Sequence, residues 1–234
     1  MNRKKGKIPK EWEKYIKMIS NKNLRKRIVK TIISLINNPL LELDLYESPA
    51  AKYYHHNYPK GLIQHVVSTT EIGLAFSRIF KKIYKVKISK DLVLCGTLLH
   101  DLFKPLTYSI KEDGSYVSSK IGQLLDHQFL IVSEMLSKGF SIEETHIVAA
   151  SHGEYGLVKP KRIEALIVFL ADYVDSHFNG EIIKGALNII KEVTGKDFKT
   201  IDFQKALRII EAMEKGDFEE VKKIIGQKLN IKFS

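Results

Sequence analysis

The chain has 234 residues, of which 44% are hydrophobic and 28% are charged, the balance of an ordinary globular protein. No apolar run approaches the ~18 residues of a membrane span, and no apolar stretch follows the basic N-terminus as it would in a signal peptide. We therefore expect a cytoplasmic protein. The single cysteine, Cys95, excludes an intramolecular disulfide and a metal site built from several thiolates.

The net charge of +11 is concentrated at the N-terminus. Residues 1–30 hold 12 Lys or Arg and 2 Asp or Glu, a balance of +10. The other 204 residues hold 26 basic and 25 acidic side chains, a balance of +1. Such a segment is typical of contact with a polyanion such as RNA, DNA or a nucleotide. A solvated lysine-rich helix explains the same residues equally well, so both interpretations stay open.

The spacing of apolar residues predicts helices over most of the first half of the chain. Helices are expected over 9–19 and 22–37, followed by an irregular segment over 38–60 that contains three prolines. A long helix is expected over 61–85, and Ser89 is a good N-cap for a helix that runs to His100 and Asp101. Residues 111–114 are typical of a turn and lie between two short runs of strand-forming residues, which predicts a β-hairpin over 107–118.

The second half of the chain is also predicted to be helical. Expected helices cover 120–138, a segment from the Ser141 capping box to about 150, 162–178, 181–194 after a break at Gly180, 203–215 and 217–229. The result is a nearly all-α protein with one small β-hairpin. We expect three parts: a basic helical extension over 1–50, a core over 51–180, and C-terminal helices over 181–234 that pack on the core.

Several predicted helices carry a histidine or an aspartate inside an otherwise apolar stripe. These residues are His65, His100, Asp101, His127, His152 and Asp172. Any one such histidine is more often a core residue bonded to a backbone carbonyl. Asp172 is harder to explain in that way, because aspartate is seldom buried without a partner. Because five predicted helices each carry such a polar residue in an apolar stripe, we expect these residues to share one binding partner. The core of a helical bundle is a common place for a metal site, so that partner is a candidate metal ion.

The order His65, then His100-Asp101, then Asp172 resembles the HD-domain metal-dependent phosphohydrolase superfamily. Segments 55–65, 98–101, 151–160 and 171–175 resemble the HD domain of bacterial 3′-to-5′ exoribonucleases. In those enzymes an OB-fold domain precedes the HD domain, whereas residues 1–50 here look helical and too short for an OB-fold. The resemblance covers roughly residues 50–180 and implies an all-α HD-domain helical bundle, with the small β-hairpin after the His-Asp motif.

The resemblance also implies one or two divalent transition metals. The ligands would divide into two groups: His65, His100, Asp101 and Asp172 for the first metal, and Asp101, His127 and His152 for the second. Nitrogen and oxygen donors without thiolate suit Mn, Fe, Co, Ni or Zn. Neighbouring residues of a helix point about 100° apart, so a metal shared by His100 and Asp101 must lie beyond the helix end.

The chemistry implied is hydrolysis of a phosphoester by a metal-activated water, with Asp101, Lys104 and Asp175 as candidate catalytic residues. Lys104 is a candidate phosphate contact, and Asp175 would orient a ligand histidine or accept a proton. The candidate substrate-binding residues are Lys104, His56, Lys159 and Arg162. The usual His-Asp-Ile-Gly-Lys motif is here His-Asp-Leu-Phe-Lys, which places bulky Phe103 beside the expected metal and predicts narrowed substrate access.

The function expected from these residues is a metal-dependent phosphohydrolase or phosphodiesterase that acts on a nucleotide or nucleic-acid phosphoester, with an RNA 3′ end among the candidates. Two alternatives stay open. Some HD-superfamily members are di-iron oxygenases with the same ligands. A binding module would instead use the HD core for structure and its N-terminal helices for nucleic acid. The sequence carries no indication of oligomeric state.

Overall fold

The computed structural model describes residues 7–229, so residues 1–6 of the basic extension and residues 230–234 lie outside the described part. In chain order, the elements are α1 (Lys10–Lys17), α2 (Lys22–Ile36), α3 (Gly61–Tyr84), α4 (Lys90–Leu99), α5 (Lys104–Thr107), β1 (Tyr108–Ile110), β2 (Tyr116–Ser118), α6 (His127–Ser137), α7 (Ile142–Ala149), a 3₁₀ turn (Gly153–Tyr155), α8 (Ile163–Thr194), α9 (Phe203–Glu214) and α10 (Phe218–Leu229). The predicted all-α class with one antiparallel hairpin is confirmed. Within the described residues, no helix combines the length and hydropathy that a membrane span requires.

The two N-terminal helices contribute side chains to the main hydrophobic core. Trp12 of α1 and Ile28 of α2 are fully buried in one cluster with Leu62 of α3. Each such side chain contributes about 1.5–3 kcal/mol through burial, so removing this segment would expose the core beneath α3 and α4. The Arg27 guanidinium adds a double hydrogen bond to the Glu144 carboxylate of α7, at 2.6 and 2.7 Å.

Helix α4 delivers the His-Asp pair to the centre of the bundle. A Cβ atom at Gly96 would lie only 2.6 Å from a methyl group of Ile147 on α7 and of Val168 on α8, so a glycine permits this close approach. The helix ends at Leu99. His100 and Asp101 therefore lie just past the last helical residue. There two neighbouring side chains can point to the same metal.

Helix α6 begins seven residues later than predicted, so the expected start at residue 120 is wrong. Residues 120–124 form turns, and the Asp126 carboxylate accepts a hydrogen bond of 2.7 Å from the Gln128 backbone N–H. An aspartate N-cap of this kind satisfies an N–H group that would otherwise lack a partner at the helix end. The late start makes His127 the first residue of α6.

Residues 163–194 form one continuous helix, so the predicted break at Gly180 is wrong. A glycine inside a helix costs about 1 kcal/mol relative to alanine, but packing on both sides of it outweighs that cost. Ala171 before it and Ile183 after it are both buried, and Ile183 belongs to a second hydrophobic cluster formed with α9 and α10. The expected boundary between the core and the C-terminal helices, at residues 180 and 181, falls inside α8.

The Gly180→Ala variant should be more stable than the wild type by about 0.5–1 kcal/mol, because Gly180 has helical backbone and alanine is the better helix former. The added Cβ would lie 3.8 Å from the His55 Cβ, an ordinary contact distance. Gly195→Ala is the matched comparison, since Gly195 ends α8 with a φ of +68°. It should lose about 1–2 kcal/mol. Urea unfolding of both variants measures the difference, and equal changes would contradict the continuity of α8 at Gly180.

Candidate metal centre

The first predicted ligand group converges within the core of the bundle. The Nε2 atoms of His65 on α3 and His100 after α4 are 3.1 Å apart. The Asp172 Oδ1 atom on α8 lies 3.1 Å from His65 Nε2 and 3.8 Å from His100 Nε2. Metal–ligand bonds of about 2.0–2.2 Å separate the ligand atoms around one ion by about 3.0–3.5 Å. The two distances from His65 Nε2 fit a single metal, and the distance between His100 and Asp172 is slightly longer.

The Asp101 carboxylate faces both predicted ligand groups. Its Oδ2 atom lies 3.3 Å from His65 Nε2 and 3.6 Å from His100 Nε2. Its Oδ1 atom lies 3.2 Å from the His127 Nε2 atom of α6. His152 completes the second group, because one ligand atom each from Asp101, His127 and His152 lie within 4.8 Å of one another. The arrangement is that of a carboxylate able to bridge two ions.

Two buried atoms of the second group lie close together without a hydrogen bond. Asp101 Oδ1 and His127 Nε2 have no hydrogen bond among the described residues, although they lie 3.2 Å apart. A buried polar atom without a partner costs about 1–3 kcal/mol. A cation coordinated by both atoms would remove that cost. The donors are imidazole nitrogens and carboxylate oxygens, so the residues fit a divalent transition metal.

Hydrogen bonds behind the histidine rings orient their Nε2 atoms toward the cluster. His65 Nδ1 lies 2.7 Å from Asp175 Oδ2, and His100 Nδ1 lies 3.0 Å from the Thr97 carbonyl oxygen. A carbonyl or carboxylate behind Nδ1 holds the proton on that nitrogen and leaves the Nε2 lone pair for a metal. Asp175 thus occupies the place expected of a residue that positions a ligand histidine.

Charged neighbours shift the pKa values of the cluster residues. Burial alone would lower the pKa of His65, but the three carboxylates around its ring raise it well above the ordinary value. Burial likewise opposes ionisation of Asp101, but the Lys104 ammonium and the nearby histidines hold the pKa of Asp101 well below its usual range. Lys104 is buried, with Nζ 2.5 Å from Asp101 Oδ2. Its predicted phosphate contact stays a prediction, and the structure places its ammonium on the shared carboxylate.

The loop before α3 lies behind His65. The His56 ring is 1% exposed, with Nε2 3.5 Å from Asp175 Oδ2 and Nδ1 3.2 Å from His55 Nδ1. The His56 backbone N–H donates to Asn179 Oδ1 at 2.7 Å. Sequence reasoning missed Asn179, and the available signal is its position four residues after Asp175 on the same buried face of α8. Substrate binding by His56 stays a prediction.

Three further residues singled out in the sequence have partners away from the cluster. The Lys159 ammonium donates to the backbone carbonyls of the 3₁₀ turn region, and the Arg162 guanidinium lies 3.6 Å from Glu164. In the described structure neither lies within ion-pair distance of Asp101 or Asp172, so their substrate contacts stay predictions. Phe103 is buried in the main hydrophobic core, so the expected narrowing of the site by its ring has no support.

Comparisons with known proteins agree with this arrangement. A family model described as the HD domain matches residues 62–177. The dihydroneopterin 2′,3′-cyclic phosphate phosphodiesterase of Methanocaldococcus jannaschii is 35% identical over 179 residues, which cover 73% of this chain and 70% of that protein. The 3′-5′ exoribonuclease YhaM of Listeria welshimeri is 29% identical over 180 residues, and YhaM of Geobacillus is 31% identical over 188 residues. The chain covers 53% of each of these two exoribonucleases. No solved structure matches significantly.

The fold and the His/Asp cluster define a helical metal-dependent hydrolase. The chain belongs to the HD-domain superfamily of metal-dependent phosphohydrolases, as its motifs predicted. All six predicted ligands are among the residues of the family match. The likeness to exoribonucleases is also confirmed, and the archaeal cyclic phosphodiesterase adds a relative of higher identity than the exoribonucleases named above.

Proposed function

We propose that the protein hydrolyses a phosphodiester of a nucleotide or nucleic acid, with one or two divalent transition metals held by the six His/Asp residues. The observation that carries this proposal is the Asp101 carboxylate, which directs one oxygen to each ligand group. A cyclic phosphodiester is the first candidate substrate, because the archaeal relative is named for one. An RNA 3′ end is the second, because other relatives are named 3′-5′ exoribonucleases.

Metals bound at this cluster would supply Lewis acidity toward a phosphoryl oxygen and would activate water at neutral pH. The residues of the chain prepare the site for that chemistry. His65 and His100 are held with Nε2 toward the cluster by Asp175 and by a backbone carbonyl. The buried Lys104 ammonium places a fixed positive charge beside Asp101, and this charge would offset the negative charge that accumulates in the transition state on a phosphoryl group bound there.

The relatives favour hydrolysis over the two alternatives. Those named above are a phosphodiesterase and exoribonucleases, whereas an oxygenase would require a different reaction at the same ligands. A binding module without catalysis would have no need for six converging donors. Contact of residues 1–30 with a polyanion stays a prediction. In the described part, Lys14, Lys17 and Arg27 pair with carboxylates of the chain. Location in the cytoplasm also stays a prediction.

Metal dependence is the direct test of this function. The protein freed of metal with a chelator should not cleave bis-p-nitrophenyl phosphate, adenosine 2′,3′-cyclic phosphate or a short RNA. Addition of Mn, Fe, Co, Ni or Zn, one at a time, should restore cleavage with at least one of them, because the donor set accepts several metals. Release of p-nitrophenol and chromatography of the nucleotides measure turnover, and metal analysis gives the number of ions bound.

Three outcomes would contradict the proposal. The first is the absence of cleavage with every metal although one or two ions bind per chain. The second is oxygen consumption by the iron-loaded protein with a mixed-valence EPR signal, which would favour the di-iron oxygenase. Salt-dependent binding of an oligonucleotide by the metal-free protein, without turnover under any metal, would instead favour the binding module.

A further inference from the structure

A cavity of about 350 Å³ adjoins the candidate metal centre. Its size lies within the range of about 300–1,000 Å³ typical of small-molecule sites. Its lining comes from the loop before α3, the end of α5, the hairpin strands, the turns before α6 and the first residue of α6, and it includes Lys52, Tyr108, Ser118, Leu124, Asp126 and His127. Because His127 belongs to both the lining and the second ligand group, a substrate at the metals would extend into this cavity.

Lys52 places a positive charge in the cavity. Its ammonium donates to Ser118 Oγ at 2.7 Å and has no carboxylate within ion-pair distance among the described side chains. Lys104, by contrast, is already paired with Asp101 at the cluster. Lys52, which has no ion pair in the described structure, is therefore available to pair with an anion of the substrate. An ammonium held by a neutral hydroxyl can exchange that partner for an anion without losing an ion pair.

The other polar groups of the lining agree with an anion at Lys52. The Tyr108 hydroxyl makes no hydrogen bond to another described residue, so it is available as a donor. The one carboxylate in the lining, Asp126, is directed to α6 and to the His127 ring, because it caps α6 and its Oδ2 atom lies 3.4 Å from His127 Nδ1. It forms no ion pair with Lys52 among the described contacts. Leu124 and Leu125 add apolar surface suited to a base or sugar.

We propose that this cavity binds the part of the substrate beyond the reacting phosphoester, and that Lys52 pairs with a second phosphate group on that part. This inference rests on the proposed function and defines its substrate class as a nucleotide that carries at least one phosphate besides the one hydrolysed. The second phosphate is either a terminal 5′-phosphate or the next phosphodiester of an oligonucleotide. Both sources present the same anion to Lys52.

Turnover of matched substrates tests the proposal. Adenosine 2′,3′-cyclic phosphate is compared with its 5′-phosphorylated form and with the dinucleotide that has an internal phosphodiester and the same cyclic end. The wild type should show a KM about 10-fold or more lower for at least one form with a second phosphate, because a charge-assisted hydrogen bond is worth about that factor. The form with the lower KM identifies whether the second phosphate is a 5′-phosphate or an internal phosphodiester. Lys52→Gln should bring this KM ratio close to one, and Lys52→Arg should retain it.

Lys120→Gln is the matched control, because it removes the same charge from an exposed lysine of the neighbouring turn that does not line the cavity. It should leave the KM ratio as in the wild type. Equal KM values for all three substrates in the wild type, or equal effects of Lys52→Gln and Lys120→Gln, would overturn the proposal. Thermal unfolding confirms that both variants are folded.

Calorimetry separates this proposal from the proposed function, because it requires no turnover. Adenosine 3′,5′-bisphosphate should bind to the wild type about 10-fold more tightly than adenosine 3′-monophosphate, and Lys52→Gln should abolish the difference. If no metal supports cleavage but this binding difference is found, the cavity proposal stands and the hydrolase proposal fails. If cleavage is found without any preference for the second phosphate, the hydrolase proposal stands and the cavity proposal fails.

Discussion

Asp101→Asn is expected to lower kcat/KM for bis-p-nitrophenyl phosphate by about 100- to 1,000-fold or more, with loss of at least one bound metal. An asparagine has one oxygen acceptor, and its NH₂ group cannot ligate a metal. The variant can therefore serve one ligand group but not both, whereas the wild-type carboxylate faces both with separate oxygens. Steady-state kinetics and metal analysis of the purified variant measure the two effects.

A second substitution, at Lys104, distinguishes loss of catalysis from loss of stability. In Asp101→Asn the buried Lys104 ammonium loses its carboxylate, and breaking a buried ion pair in this way costs about 3–5 kcal/mol. The double variant Asp101→Asn with Lys104→Met removes the unpaired charge and should recover most of that stability in urea unfolding without recovering turnover. Substantial activity in either variant would refute Asp101 as the shared ligand.

Asp175→Asn should weaken metal binding and reduce turnover by about 10- to 100-fold, the usual range for the partner of a ligand histidine. The wild-type carboxylate lies 2.7 Å from His65 Nδ1 and is nearly fully buried. A neutral amide holds the Nδ1 proton less firmly and does not raise the basicity of Nε2 to the same degree. Competition with a chromophoric chelator measures metal affinity, and the same protein is assayed for turnover.

The control for Asp175→Asn is Glu181→Gln, which removes a carboxylate from the same helix at an exposed position where Glu181 pairs with Lys184. Its metal affinity and activity should equal those of the wild type. A purely structural role for Asp175 predicts a different pattern, in which Asp175→Asn loses stability while the folded fraction binds metal with unchanged affinity. That result would remove Asp175 from the positioning residues.

Much of the site was predictable because its residues break the apolar pattern of buried helices. Asp172 stands in an apolar stripe of α8, and His65 does so on α3. Burial of such groups is costly, so their presence signals a shared partner. The end of α4 was predictable to within two residues for a related reason, since two adjacent ligands meet at one point only beyond a helix end. The sequence placed that end at His100 and Asp101, and the helix ends at Leu99.

Other features depend on contacts that a local pattern does not contain. The continuity of α8 through Gly180 follows from packing of its second half on α9 and α10, which outweighs the low helix propensity of glycine. The start of α6 at His127 follows from the Asp126 cap, a side-chain contact that competes with a longer helix. Lys52 carries no sequence signal, because its position at the cavity depends on a contact with a hairpin 66 residues away in sequence.

Because α8 is unbroken, the carboxylates on its first half and the apolar residues on its second half keep a fixed rotation about the helix axis relative to one another. Asp172 and Asp175 lie before Gly180 on this helix, and Ile183, which packs with α9 and α10, lies after it. Inserting one residue at Gly180 would rotate one half against the other by about 100° and lengthen the helix by about 1.5 Å. The insertion would therefore displace either the carboxylates or the C-terminal hydrophobic cluster, so the number of residues between Asp175 and Ile183 fixes how the two parts are placed.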